Sequence, residues 1–163
     1  MANFNKQDVL NACAQYGPSL TVPAGLDPIK VMAAIASNES SFGTNCGPRH
    51  EPAYEAGGAV WARKAMAPLL VQYPPTGDPP QSPAACSYGP WQMMFLNFQR
   101  IYAPSFLSNS LETCAAEFVR WFNDYVVGKH PQNLVEIGEI WNAGHITPDL
   151  AYTNKLEVAY SSM

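Results

Sequence analysis

A capping residue stands ahead of most apolar stretches in this chain, and the apolar residues behind each cap repeat at helical spacing. Asn5 with Asp8 reads as a capping box, opening a helix that carries Val9, Leu10, Cys13 and Tyr16 and stops at Gly17-Pro18. Asp27 followed by Pro28 combines an N-cap with proline at the first helical position, and the helix behind it runs to about Phe42, where Gly43 ends it. Ser110 caps a longer helix with the stripe Leu111, Ala115, Phe118, Phe122 and Val126. Pro131 starts another, with Leu134, Ile137, Gly138 and Trp141 on one face and Gly144 as terminator. Thr147-Pro148 repeats the cap-plus-proline signal and opens a last helix toward Tyr160. Ala56 to Tyr73 and Trp91 to Tyr102 read as two further helices. Between them, Pro74 to Pro83 holds five prolines in ten residues, which predicts an extended surface loop. No stretch alternates as a strand should, so the expectation is an all-α fold in one domain spanning 1–163.

Size and composition support a folded chain. The 163 residues are 47% hydrophobic and 13% charged, enough apolar surface for a real core. A net charge of -4 argues against sequence-independent nucleic-acid binding, which needs clustered Lys and Arg. No apolar run reaches the length of a membrane span, and Met1 to Gln7 lack the apolar centre of a signal peptide. Cys13, Cys46, Cys86 and Cys114 stand far apart with no C-x-x-C pair, so no metal site is expected. They permit three pairings into two disulfides; a Cys46–Cys86 bridge would tether the Pro-rich stretch, and buried thiols fit as well. His50, His130 and His145 show no metal-ligand spacing, and no Gly-rich phosphate loop or nucleophile elbow is present. No cofactor is expected.

One residue breaks the pattern. Met32, Ile35 and Glu39 are spaced three and four apart, which puts a carboxyl group on the stripe that faces the core, next to Phe42. Burial penalises a charged carboxylate, and the negative end of a helix dipole adds to the penalty. Both effects hold a proton on Glu39 near neutral pH, as a general acid requires.

Glu39-Ser40-Ser41-Phe42 resembles the Glu-Ser-x-Phe segment around the catalytic acid of the lytic transglycosylase family, which shares the lysozyme-like fold with goose-type lysozymes. Three more segments follow in the family's order. Tyr88-Gly89-Pro90-Trp91-Gln92-Met93-Met94 is similar to its Gly-Leu-Met-Gln-Ile block, matched at Gly89 and Gln92, with Met93 in place of the Ile. Trp141-Asn142-Ala143-Gly144 resembles Ala-Tyr-Asn-x-Gly, with Trp141 replacing the tyrosine. Tyr152, four residues before Leu156, resembles the start of Tyr-Val-x-x-Val. The resemblance spans about residues 28 to 157. Two departures stand out. About 44–87 is an insertion relative to the commonest members, leaving from the mouth of the expected cleft. The acid that often precedes the family's late tyrosine has only Asp149 as its nearest candidate, one position out of register.

The resemblance implies a lysozyme-like fold, peptidoglycan glycan strands as partner, a monomer, and action at the cell wall, whether exported, periplasmic or phage-delivered. It implies Glu39 as the one catalytic residue. Gln92 and Asn142 would bond the sugar's amide and hydroxyl groups, and Tyr152 would point its phenol at the acid or the sugar. Tyr88, Met93 and Trp141 would form apolar walls, and Ser40 and Ser41 would position the acid or the N-acetyl group. Two rivals stay open: a muramidase with the same acid and a second carboxylate such as Glu55, and a noncatalytic glycan-binding or virion module. Glu51, Glu55 and Asp78 read as ordinary solvated charges.

Overall fold

The computed structural model describes residues 4–52, 67–95 and 110–163. Over these the chain is mainly helical, with one small antiparallel sheet. In chain order come α1 (Lys6–Tyr16), α2 (Pro28–Ser40), β1 (Arg49–His50), β2 (Cys86–Tyr88), β3 (Met93–Met94), α3 (Leu111–Trp121), α4 (Leu134–Ala143) and α5 (Leu150–Ser161). A π turn, Phe122–Val126, and a 3-10 turn, Val127–Lys129, extend α3. Among the described residues no helix is long and apolar enough to cross a membrane.

The caps act where the sequence puts them, with two exceptions. Asn5, Asp27 and Ser110 each accept a hydrogen bond from a backbone N–H of the first turn they precede. The last two helices begin three residues later than Pro131 and two later than Pro148. Asn133 caps α4 by accepting from the Glu136 N–H, and Asp149 caps α5 by accepting from the Tyr152 N–H. In both cases a side-chain acceptor outweighs a proline that supplies none. Gly144, at φ 79°, ends α4 in the left-handed conformation that glycine adopts without cost.

α2 is the centre of the domain. Its residues from Val31 to Ala36 are all buried, and it packs against α1 on one side and α5 on the other. Helices α2 and α5 run antiparallel and are pinned at both ends. The Asp27 N–H donates to the Tyr160 hydroxyl (2.8 Å), and Asn38 Nδ2 donates to the Tyr152 carbonyl (3.2 Å). Helix α4 reaches α5 closely because Gly138 has no side chain. A Cβ there would meet Leu156 Cδ2 at 2.9 Å and Thr153 Cγ2 at 3.3 Å. Trp91, Phe118 and Phe122 fill the core behind α2, and the Trp91 indole N–H donates to the Met32 carbonyl.

The sheet corrects the all-α expectation. β1 pairs with β2 (Arg49 opposite Ser87), and β2 pairs with β3 (Tyr88 opposite Met93). These strands are two or three residues long, and β2 is buried on both faces, so none displays alternation in the sequence. The helix expected from Trp91 is displaced by β3; of the remainder only Phe95 lies among the described residues, and it is helical. Residues 67–72 are helical, as expected for the end of the Ala56–Tyr73 helix, whose first part lies outside the described residues. The Pro-rich stretch is exposed but folded back on itself. Thr76 and Gln81 exchange backbone hydrogen bonds, and the buried Ser82 hydroxyl donates to the Tyr73 carbonyl (2.6 Å). All four cysteines are buried, and no disulfide joins Cys46 to Cys86. Burial pushes the Cys13 and Cys114 thiols up to about 12.

Candidate active site

Helix α2 ends one residue after Glu39, and the turn that ends it is unusual. Ser41 and Phe42 both take left-handed backbone (φ 51° and 56°) before Gly43 does the same (φ 81°). Non-glycine residues in this region cost about 1–2 kcal/mol each. The turn is held by the Ser40 hydroxyl, which donates to the Pro90 carbonyl (2.6 Å) and accepts from the Gly43 N–H (2.7 Å). This explains why the helix stops short of Phe42. It also fixes the last turn, where Glu39 lies, against the segment that leads into β3.

The Glu39 side chain is 8% exposed and is met from three directions. From α5, the Tyr152 hydroxyl donates to Oε1 at 2.8 Å. From α4, the Trp141 indole N–H donates to the same oxygen at 3.0 Å. From β1, Arg49 Nη2 lies 3.7 Å from Oε2. Burial raises the carboxyl above its ordinary 4.5. The Tyr152 hydrogen bond, the Arg49 charge and the Trp141 hydrogen bond oppose that shift, and the Glu51 charge adds to it. The Tyr152 phenol is itself pushed well above its ordinary range by burial and by the facing Glu39, so it remains a donor.

Both donors are rigidly backed. The Trp141 ring packs on Phe118 (centroids 5.1 Å apart) and edge-on against Trp121 (5.1 Å). Tyr152 is set by the Gly138 contact between α4 and α5 and by the Asn38 bond to its carbonyl. With two donors on Oε1, an acidic proton belongs on Oε2. Oε1 is thus clamped by two donors, and Oε2, the oxygen left to carry a proton, lies beside a half-exposed guanidinium.

The remaining sequence candidates divide differently from expectation. Gln92 is buried at φ 44°; its amide donates to the Gly89 (3.0 Å) and Gly47 (3.4 Å) carbonyls, and its Oε1 faces the Ser87 hydroxyl. Its hydrogen bonds are directed inward. Tyr88 and Met93 are 3% exposed and belong to the core, with the Tyr88 hydroxyl donating to the Pro83 carbonyl, so neither forms an open wall. Ser40 is committed to backbone partners, and Ser41 is exposed on the turn. Asn142 is exposed at the end of α4 and donates to Asp149 Oδ2 (2.7 Å). Asp149 thus serves both as a helix cap and as the partner of Asn142. Trp141, expected as an apolar wall, also donates to the acid.

Sequence reasoning missed Arg49 and treated Glu51 as a solvated charge. Arg49 Nε donates to Glu51 Oε1 at 2.8 Å, and Ser87 Oγ lies 3.3 Å from the same oxygen. The available signal was the spacing. Residues two apart in a strand share a face, and a short segment carrying Arg and Glu two apart is notable in a chain with only nine Lys and Arg. Glu55 lies outside the described residues. Among the described residues no group of His, Cys, Asp and Glu is placed to hold a metal ion. No protein-family model, curated protein or solved structure matches the chain.

Proposed function

We propose that this protein cleaves peptidoglycan glycan strands as a lytic transglycosylase of lysozyme-like fold, with Glu39 as its general acid and then its general base. The observation that carries the reading is the state of Glu39: a carboxyl group at a helix end, nearly buried, with two donors on one oxygen and a raised proton affinity. The four motif segments in family order support it, and three of their residues, Glu39, Trp141 and Tyr152, meet in space.

In the first step Glu39 passes its Oε2 proton to the oxygen between N-acetylmuramic acid and N-acetylglucosamine, and the C1–O bond breaks. The substrate's own N-acetyl group steadies the cationic carbon. Tyr152 and Trp141 strengthen their bonds to Oε1 as the carboxylate forms. Glu39 then takes the proton of the sugar's 6-hydroxyl while O6 closes on C1, giving a 1,6-anhydro ring without water. The site of action on this reading is the cell wall.

Glu51 favours a second reading. A muramidase needs a carboxylate besides the acid, and Glu51 is joined to Glu39 through Arg49. Its engagement by Arg49 and Ser87 weighs against a role as the water-activating base. A noncatalytic glycan-binding module is the third reading, and a proton-holding acid clamped by two donors has no purpose in it.

Mass spectrometry of muropeptides released from purified peptidoglycan tests all three. Anhydromuramic ends, about 18 Da lighter than hydrolysis products and absent with Glu39→Gln, are the expected result. Reducing ends would replace the lyase reading with the muramidase. No release from several wall types would leave the binding module.

A further inference from the structure

A continuous series of polar contacts runs from the acid into the small sheet. Glu39 Oε2 faces Arg49 Nη2, Arg49 Nε bonds Glu51 Oε1, and the Ser87 hydroxyl lies between Glu51 Oε1 (3.3 Å) and Gln92 Oε1 (3.1 Å). Gln92 anchors the far end on the Gly89 and Gly47 carbonyls. The Glu51 backbone is fixed by its N–H bond to the Ala85 carbonyl (2.8 Å). Arg49 and Glu51 both come from the 44–87 insertion, so this stretch reaches the reacting oxygen through a charge pair.

The pair has a defined polarity. Among the described residues Arg49 is the cation acting on Glu39, and its side chain is 55% exposed, whereas Glu51 is 29% exposed and bonded by Arg49 Nε. Among the described residues the titratable groups acting on Glu39 are Tyr152 from α5 and Arg49 and Glu51 from the β1 segment; α4 adds the neutral Trp141 donor. An incoming anion would meet Glu51 along with Arg49, so the pair is not arranged to capture a substrate carboxylate. Its cation instead faces Oε2, the oxygen that carries the transferable proton.

We propose that Arg49 is a positioning residue for the Glu39 chemistry: anchored by Glu51, it steadies the carboxylate that Glu39 becomes when its Oε2 proton passes to the leaving oxygen. Ser87 sits beside this pair, its one hydroxyl proton within reach of either Glu51 Oε1 or Gln92 Oε1. The inference rests on Glu39 as the general acid and extends that reading to the insertion.

Arg49 and Glu51 have opposite effects on Glu39, so their removal must move it in opposite directions. With Arg49→Gln, the acid holds its proton to higher pH, and the alkaline limb of the pH–rate profile moves up. With Glu51→Gln, which keeps an oxygen for Arg49 Nε but removes the charge, the limb moves down. Arg49→Gln should lower kcat about tenfold with KM within about twofold, and Arg49→Lys should recover most of the loss. The same midpoints are read without activity from the Glu39 side-chain carboxyl carbon by NMR on the full chain, assigned by its loss in Glu39→Gln. Opposite displacements support the proposal. Displacements of one sign, or none, overturn it even if wild-type protein releases anhydro muropeptides. Opposite displacements without any muropeptide release would uphold the electrostatic coupling and defeat its catalytic use.

Discussion

Deleting one oxygen, in Tyr152→Phe, separates the clamp on Glu39 from the fold around it. The phenol donates to Glu39 Oε1 at 2.8 Å, and the ring stays in place on α5 when the hydroxyl is gone. A hydrogen bond to a neutral group contributes about 0.5–1.5 kcal/mol, and one to a charged group about 1.5–3 kcal/mol. In the proposed mechanism Glu39 goes from acid to carboxylate during proton transfer, so the difference of about 1–1.5 kcal/mol is available only in the transition state. At about 1.4 kcal/mol per tenfold, kcat should fall roughly tenfold while KM changes less than about twofold. The profile should also move. The Tyr152 bond lowers the proton affinity of Glu39, so the variant keeps its proton to higher pH and its alkaline limb shifts upward. Activity would thus be lower at the optimum yet extend further into the alkaline range. The assay is steady-state release of muropeptides across pH, with circular dichroism to show an unchanged fold. A kcat within twofold of wild type, or an alkaline limb that stays or moves down, would refute the argument.

Three further outcomes follow from the same contacts. Gly138→Ala places a methyl 2.9 Å from the fully buried Leu156 Cδ2, so the Leu156 side chain or α5 itself must shift; a loss of about 1–3 kcal/mol is expected, with reduced kcat where Tyr152 is displaced, readable by urea titration and turnover. Ser40→Ala removes the bonds to the Pro90 carbonyl and the Gly43 N–H in a buried setting, and should cost about 1–3 kcal/mol as a lower urea midpoint with unchanged slope. Glu39→Gln should stabilise the protein near neutral pH. Because the folded-state value lies above the ordinary 4.5, the native state is favoured most below that value, and this advantage is lost as pH rises through the folded one. The gain in Tm should therefore be largest in alkaline buffer, at about 2–4 °C per kcal/mol, and vanish in acid; a gain growing as pH falls would contradict it.

The parts of this fold legible in the sequence are those decided locally. Asn5, Asp27 and Ser110 announce their helices because an N-cap bonds to N–H groups two or three residues away. The helical period places Glu39 in line with Met32 and Ile35, which is why it stands out, although α2 is buried on every side from Val31 to Ala36. Long-range pairing was not legible. A three-residue strand buried throughout carries no alternation, and Arg49 meets Glu39 only because Ser87 pairs across from it. Motif identity also failed to give side-chain direction. Gln92 matches a substrate-binding position in its block, yet its left-handed backbone turns the amide toward Gly47 and Gly89. Trp141 was read as a wall because indole is mostly apolar, and its single donor atom decided its role.

The three groups opposing the burial of Glu39 differ in how firmly they are held, and that difference divides their work. Trp141 is wedged between Phe118 and Trp121, and Tyr152 is fixed where α5 closes on Gly138. Both come from more than 100 residues downstream, so they reach the acid only once the helices have packed. Neither moves without disturbing the core, so together they set where Oε1 lies. Arg49 is half-exposed and comes from a short strand, so it acts on Glu39 through its charge. A surface charge is also the easier one to change. Charge-removing substitutions at Arg49 or Glu51 should therefore shift the proton affinity of Glu39 while leaving the fold intact, whereas substitutions that disturb the packing of α4 on α5, such as Gly138→Ala, should lower activity and stability together.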